Sequence, residues 1–171
     1  SCLSNLKQIG LAVKMYAGDY DEKLDFCEIL TDEPMRNRYV SFYYPDQPSV
    51  TQNLLYYSDL LQPYVKNWQI FQCPSRAAEW MSYSRSIYLG YAGNYPGRSG
   101  PLYEGVPLAS IEEPTKTVYC LDHHEHPKGR WYWNFIGWPT SDYGDPQYWP
   151  PLHNEGRNVL LVDGHAKWYK D

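Results

Sequence analysis

Apolar residues in the first twenty positions recur at three- and four-residue steps: Leu3, Leu6, Ile9, Gly10, Val13, Tyr16, Ala17 and Tyr20. That spacing gathers them on one face of an α-helix, with Asn5, Lys7, Gln8, Lys14 and Asp19 mostly opposite. Ser1 or Ser4 can cap the start, and Gly18 with the acidic run 19–22 can end it. The pattern predicts an amphipathic helix over residues 1–20, about five turns long. Its narrow apolar stripe needs a surface to lie on.

The rest of the chain reads as short pieces. Residues 24–50 are irregular, with Pro34, Pro45 and Pro48 around an aromatic strand candidate at 39–44. Leu54, Leu55, Leu61 and Val65 predict a second helix over 52–65, kinked or shortened by Pro63, which has no N–H to donate. Residues 68–73 alternate as a short strand stopped by Pro74. A Tyr-rich strand candidate at 82–94 runs into a loop with Gly93, Pro96, Gly97 and Gly100, and 106–110 and 117–121 read as strands separated by Glu112, Glu113 and Pro114. Residues 127–151 are loop-like and carry Trp131, Trp133, Trp138 and Trp149.

The sharpest local signal is at the end. Residues 158–162 form an apolar strand, Asp163 and Gly164 a two-residue reversal, and 165–169 an alternating return. The first strand is expected to be central and the second an edge. One long helix followed by short strands predicts an α+β fold. We expect a single domain over 1–171, with helix 1–20 packed on an antiparallel sheet within 21–171 and long aromatic-rich loops.

Composition narrows the function classes. Eighteen Tyr and 7 Trp supply apolar bulk that aliphatic residues do not, and net charge is −5 with no basic run. A nucleic-acid binder concentrates positive charge, so nucleic acid is not an expected partner. No stretch approaches the roughly 18 apolar residues needed to cross a bilayer. Cys2, Cys27, Cys73 and Cys120 form no CxxC pair, which argues against zinc ribbons and thioredoxin-like sites. Isolated cysteines in even number suit disulfides in an oxidising compartment, and three pairings are open.

Two segments carry a resemblance. Residues 2–12, followed by Tyr16 and Asp19-Tyr20-Asp21, resemble the helix of bacterial prepilin-type, pseudopilin-like proteins. His153, nine residues, then Asp163-Gly164-His165 with Lys167-Trp168 resembles the H-X9-DG signature of the DUF1559 group of that family. Residues 60–65, 71–75 and 111–114 leading to Asp122 are similar to its internal landmarks, in the expected order. The resemblance implies a pilin-like fold and an extracellular, cell-surface subunit of a type IV pilus-like or type II secretion pseudopilus-like filament. Its partners would be copies of itself or other pilin-like subunits. In family members a hydrophobic methylation segment lies just upstream of this opening helix, so a membrane would be met only through such a segment. Cys2 starts the helix and Cys73 ends a strand candidate expected beneath it. Both sit in the segments carrying the resemblance, which makes Cys2–Cys73 the favoured bridge and leaves Cys27–Cys120.

Candidate chemistry is sparse. His153, His165 and the run Asp122-His123-His124-Glu125-His126 form a metal-like constellation, since imidazole and carboxylate at that density can hold a transition metal. Loop oxygens around Asp142 and Asp145 could instead hold Ca²⁺, as a C-terminal loop does in related pseudopilins. For His153 and Asp163 the simpler role is structural: the aspartate supplies a turn and the histidine closes a sheet end. No GxSxG, Cys–His or phosphate-loop signature is present. We therefore expect a non-catalytic, self-assembling subunit, with Leu3 and Leu6 on the helix and the four loop tryptophans making contacts between copies. A cell-surface carbohydrate-binding module using the Trp and Tyr loops is the alternative, and a metal-dependent hydrolase a third.

Overall fold

In a computed structural model of the chain, the opening periodicity becomes one continuous helix, α1, over Cys2–Asp19. The structure describes residues 1–25, 28–35, 46–49, 51–76, 81–86, 89, 105–122, 135–136 and 153–170. Ser1 is the cap, its hydroxyl accepting the Ser4 N–H at 3.4 Å. At the far end Tyr20 closes the helix, and Asp21 and Glu22 turn the chain away at φ of 54° and 55°. Cys2, Leu6, Ile9, Gly10, Ala12, Val13, Tyr16 and Ala17 are buried.

Strands β1 (Glu28–Met35) and β2 (Gln52–Tyr56) pair antiparallel as a separate ribbon. Helix α2 (Tyr57–Val65) follows directly. The main sheet contains β3 (Tyr83–Ser86), β4 (Val118–Asp122), β5 (Phe135–Ile136), β6 (Gly156–Leu161) and β7 (Ala166–Lys170), in the order β5-β3-β4-β6-β7. The four strands β3, β4, β6 and β7 are antiparallel, whereas the two-residue β5 runs parallel to β3. The architecture is α+β, a helix on an antiparallel sheet, with the apolar strand β6 internal and β7 at the edge.

Three sequence expectations about local structure are corrected. Residues 52–65 are not one helix: Leu54 and Leu55 pair with Leu30 and Ile29 of β1 as strand. The helix begins only at Tyr57, where Asp59 reaches back to accept the Tyr56 N–H at 3.0 Å. Residues 68–73 are not a strand, because Trp68–Phe71 is a 3₁₀ turn closed by Asn67 accepting the Gln69 N–H at 3.0 Å. The turn buries the adjacent residues Ile70 and Phe71 together, which an alternating strand would not do. Residues 106–110 likewise turn, since the Ser110 hydroxyl donates to Pro107 O at 2.7 Å and Leu108–Ser110 is 3₁₀.

The terminal hairpin is longer by one residue than Asp-Gly alone suggests. Gly164 N–H donates to Leu161 O at 2.9 Å and Leu161 N–H to His165 O at 2.8 Å, so Val162, Asp163 and Gly164 form the turn. Gly164 stands at φ +87°, the left-handed position that a three-residue hairpin needs. Val162 stays buried, which favours this register. Of the strand candidate at 82–94, residues 83–86 are strand β3; its residues 87, 88 and 90–94, the candidate at 39–44 and nearly all of the candidate loop 127–151 lie outside the described residues.

Two contacts lock the layers together. A Cβ at Gly10 would stand 2.8 Å from Leu160 Cδ1 and 3.2 Å from Gly164 O, so α1 crosses β6 where it has no side chain. Gly10→Val is expected to cost about 1–3 kcal/mol through overpacking, read as a lower denaturant midpoint with an unchanged slope. A neutral or stabilising result would show that the layers are not in contact there.

The second lock is polar. Asp25 and Arg85 are both fully buried, with Arg85 Nε 3.3 Å from Asp25 Oδ2. The Tyr119 hydroxyl donates to the Asp25 carboxylate at 2.7 Å, and the guanidinium lies 4.7 Å over the Tyr119 ring. Arg85 also donates to the carbonyls of Asp25, Ser86 and Leu89. Burial pushes the Asp25 carboxyl up, against the pull of Arg85 and the Tyr119 hydroxyl.

Candidate functional site

Several of the residues singled out in the sequence converge at the N-terminal end of α1. Leu160 faces the helix, and two-residue alternation puts Asn158 on the same side of β6. Asp122, at the end of β4 beside it, turns its carboxylate to Asn158: Oδ2 accepts the Asn158 backbone N–H at 3.0 Å and its side-chain amide at 2.7 Å. Burial raises the Asp122 carboxyl despite these donors and the nearby His153. Its other oxygen, Oδ1, is buried and has no hydrogen-bond partner among the described residues.

His153 is aimed at this carboxylate by a tight reversal. His153 and Gly156 exchange backbone hydrogen bonds at 3.2 and 3.0 Å, with Asn154 and Glu155 between them at φ of 50° and 59°. Two left-handed central residues define a type I′ turn, the kind that matches strand twist. Trp168 Nε1–H donates to His153 O at 2.9 Å from the neighbouring strand. The ring then sits with Nε2 3.3 Å from Asp122 Oδ2 and 3.4 Å from Cys73 Sγ.

Cys73 is bonded to Cys2, the favoured bridge, with Cα atoms 5.2 Å apart. Asn5 supports this junction from the next turn of α1, donating to Gln72 O at 3.0 Å and to the Tyr83 hydroxyl at 3.3 Å. A bridge enclosing so long a loop is worth about 2–4 kcal/mol. The second expected bridge, Cys27–Cys120, is corrected: Cys120 is a free, buried thiol in the middle of β4, pushed well above its usual value by burial. Cys27 lies outside the described residues.

Beside the disulfide opens a cavity of about 300 Å³ lined by Cys2, Leu3, Pro74, His153, Asn158 and Trp168 among others. No family model, curated protein or solved structure matches this chain. The site must therefore be read from its own chemistry. A Cys–His–Asp relay uses one ring nitrogen for the nucleophile and the other for the carboxylate. Here a single nitrogen faces both partners, and the sulfur is held in a disulfide. The arrangement is that of a braced, buried junction.

Of the residues proposed from sequence, Cys2, Cys73, Asp122 and His153 are brought together, the last two with Nε2 3.3 Å from Oδ2. His153 and Asp163 do not meet. They occupy opposite ends of β6, and Asp163 instead accepts the His165 backbone N–H at 3.0 Å, with its Oδ2 2.5 Å from the His165 ring. Burial raises the Asp163 carboxyl, but the His165 hydrogen bonds and the charges of His165 and Lys14 outweigh it, leaving it lowered. His124, Asp142, Asp145, Trp131, Trp133, Trp138 and Trp149 lie outside the described residues.

The helix contacts also need correction. Leu6 is fully buried against the sheet and cannot face another copy, while Leu3 is half-buried at the cavity rim. The apolar residues that α1 presents to solvent are Leu11, 61% exposed, and Met15, 48% exposed, one turn apart. Sequence reading passed over them because they fall outside the dominant stripe. The Asp25–Arg85–Tyr119 cluster was missed because nothing in a Ser- and Tyr-rich strand marks Arg85 as internal. Among the described residues no helix is long and apolar enough to cross a membrane.

Proposed function

We propose that this chain is an extracellular structural subunit that self-associates into a filament of the type IV pilus or type II secretion pseudopilus kind. The reading rests on its prepilin-like opening segment and H-X9-DG ending. The observation that carries it is the second face of α1. While one side is buried on the sheet, Leu11 and Met15 stand exposed in a row continued by Gly18, with Lys7 and Lys14 beside them. Pilin-like filaments are built by packing such helices together, and an exposed Leu–Met ridge with a small residue lets two helices approach closely. The Cys2–Cys73 bridge fits an oxidising, extracellular compartment. A calcium ion held by Asp142 and Asp145 would serve a structural role rather than a catalytic one.

The test is sedimentation velocity over a concentration series together with negative-stain microscopy. The parent chain is expected to associate with rising concentration, and Leu11→Glu/Met15→Lys to stay monomeric with an unchanged circular dichroism spectrum. A parent chain that remains a monomer at its solubility limit would overturn the proposal, as would a double variant that assembles like the parent.

A further inference from the structure

We propose that the Cys2–Cys73 junction is a redox-gated site for a thiophilic divalent cation such as Zn²⁺: closed as a disulfide, and in the reduced state formed by both thiolates with His153. The Sγ atoms of Cys2 and Cys73 and a ring nitrogen of His153 lie within 4.8 Å of one another. Zinc binds sulfur at about 2.3 Å and imidazole nitrogen at about 2.0–2.1 Å, so two such ligands on a tetrahedral ion stand about 3.6 Å apart. Cys73 Sγ and His153 Nε2 are 3.4 Å apart. His153 Nε2 is also 3.3 Å from Asp122 Oδ2, so that carboxylate stands beside the site as an outer charge rather than as a ligand.

The direction of the ring is the second argument. One imidazole nitrogen turned to a sulfur and a carboxylate at once cannot satisfy both with one hydrogen. That nitrogen stands close to both groups at one place, 3.4 Å from the sulfur and 3.3 Å from the carboxylate oxygen. The buried Asp122 carboxylate, held by Asn158, supplies negative charge at that point, and its Oδ1 has no hydrogen-bond partner among the described residues. The adjoining cavity of about 300 Å³ offers a path of entry and room for a solvent oxygen in a fourth position. Three protein ligands with one open position are a recognised zinc arrangement.

The chemistry balances with an external reductant, a dithiol or a phosphine. A dithiol gives the S–S bond two electrons and its own two protons and is itself left as a disulfide; a phosphine gives two electrons and takes the oxygen of one water as its oxide, and that water's two protons complete the thiols. Binding of the cation then releases both protons as the thiolates coordinate. Oxidation by a disulfide-forming partner would expel the cation and restore the bridge.

The experiment uses the whole chain, oxidised or reduced with a phosphine and kept anaerobic, titrated with Co²⁺ and then Zn²⁺. The reduced chain is expected to bind one Co²⁺ per molecule, with thiolate charge-transfer bands and the visible bands of a tetrahedral ion, displaced by one Zn²⁺. The oxidised chain should show neither. His153→Ala should weaken Zn²⁺ binding by more than the roughly 10–100-fold that loss of an outer-shell partner costs. If reduction loosens the fold, Zn²⁺ should restore the native circular dichroism and raise the melting temperature. The proposal is overturned by a reduced chain without charge-transfer bands, by equal binding to the oxidised chain, by His153→Ala binding as the parent does, or, where reduction has loosened the fold, by Zn²⁺ bound without recovery of structure.

Discussion

Replacing Arg85 alone with methionine is expected to lower stability by about 3–5 kcal/mol, because it strands the Asp25 carboxylate in the interior without its cation. For a chain of this length that is a drop of roughly 10 °C in melting temperature. The guanidinium does more than balance charge. It bonds the carbonyls of Asp25, Ser86 and Leu89, so the strand carrying Arg85 is tied to the segment after α1. The double change Asp25→Leu/Arg85→Met removes both charges and should recover part of the loss. Recovery should be incomplete, since those buried carbonyls and the Tyr119 hydroxyl then lose partners. A double-mutant cycle by chemical denaturation measures the coupling. A cost under about 1 kcal/mol for Arg85→Met would mean that water reaches Asp25 and that the pair is not internal.

The second large effect is alkaline unfolding. Burial pushes the hydroxyl of Tyr16 up to about 12 and those of Tyr57, Tyr83 and Tyr119 upward as well, all from an ordinary value of 10.0. A group that ionises later when folded contributes stability that is intact below the unfolded value and is lost as pH rises beyond it. Above pH 10, therefore, the unfolded chain releases protons the folded chain keeps, and each tyrosine costs about 1.4 kcal/mol per pH unit. Four together remove about 5–6 kcal/mol per unit, comparable to the whole stability of an ordinary domain at about 5–15 kcal/mol. The buried Cys120 thiol, raised from 9.0, starts the decline slightly earlier. Cooperative unfolding is expected between about pH 11 and 12, with tyrosinate absorbance appearing in step with loss of circular dichroism. Tyr16→Phe should move the midpoint upward. Gradual tyrosinate absorbance from pH 10 with the fold intact would show these rings to be solvated.

Local pattern carried much of this fold. The period of residues 1–20, the apolar run at 158–162 and the Asp163-Gly164 reversal each specify backbone conformation through neighbours a few positions away, and α1, β6 and β7 appear where those patterns lie. Pattern failed where a partner distant in sequence decided the outcome. Leu54 and Leu55 suit a helix or a strand, and pairing with β1 made them strand. The site followed the same division. Cysteine, histidine and aspartate could be picked out as reactive types, but type alone left three cysteine pairings and several metal sets open. Only when α1 crossed the sheet at Gly10 did Cys2 come against Cys73, and only the turn at 154–155 directed His153 toward Asp122 instead of Asp163. Which side chains share the interior is set by packing between layers, a long-range condition that gave Arg85 a buried place no short stretch of sequence announces.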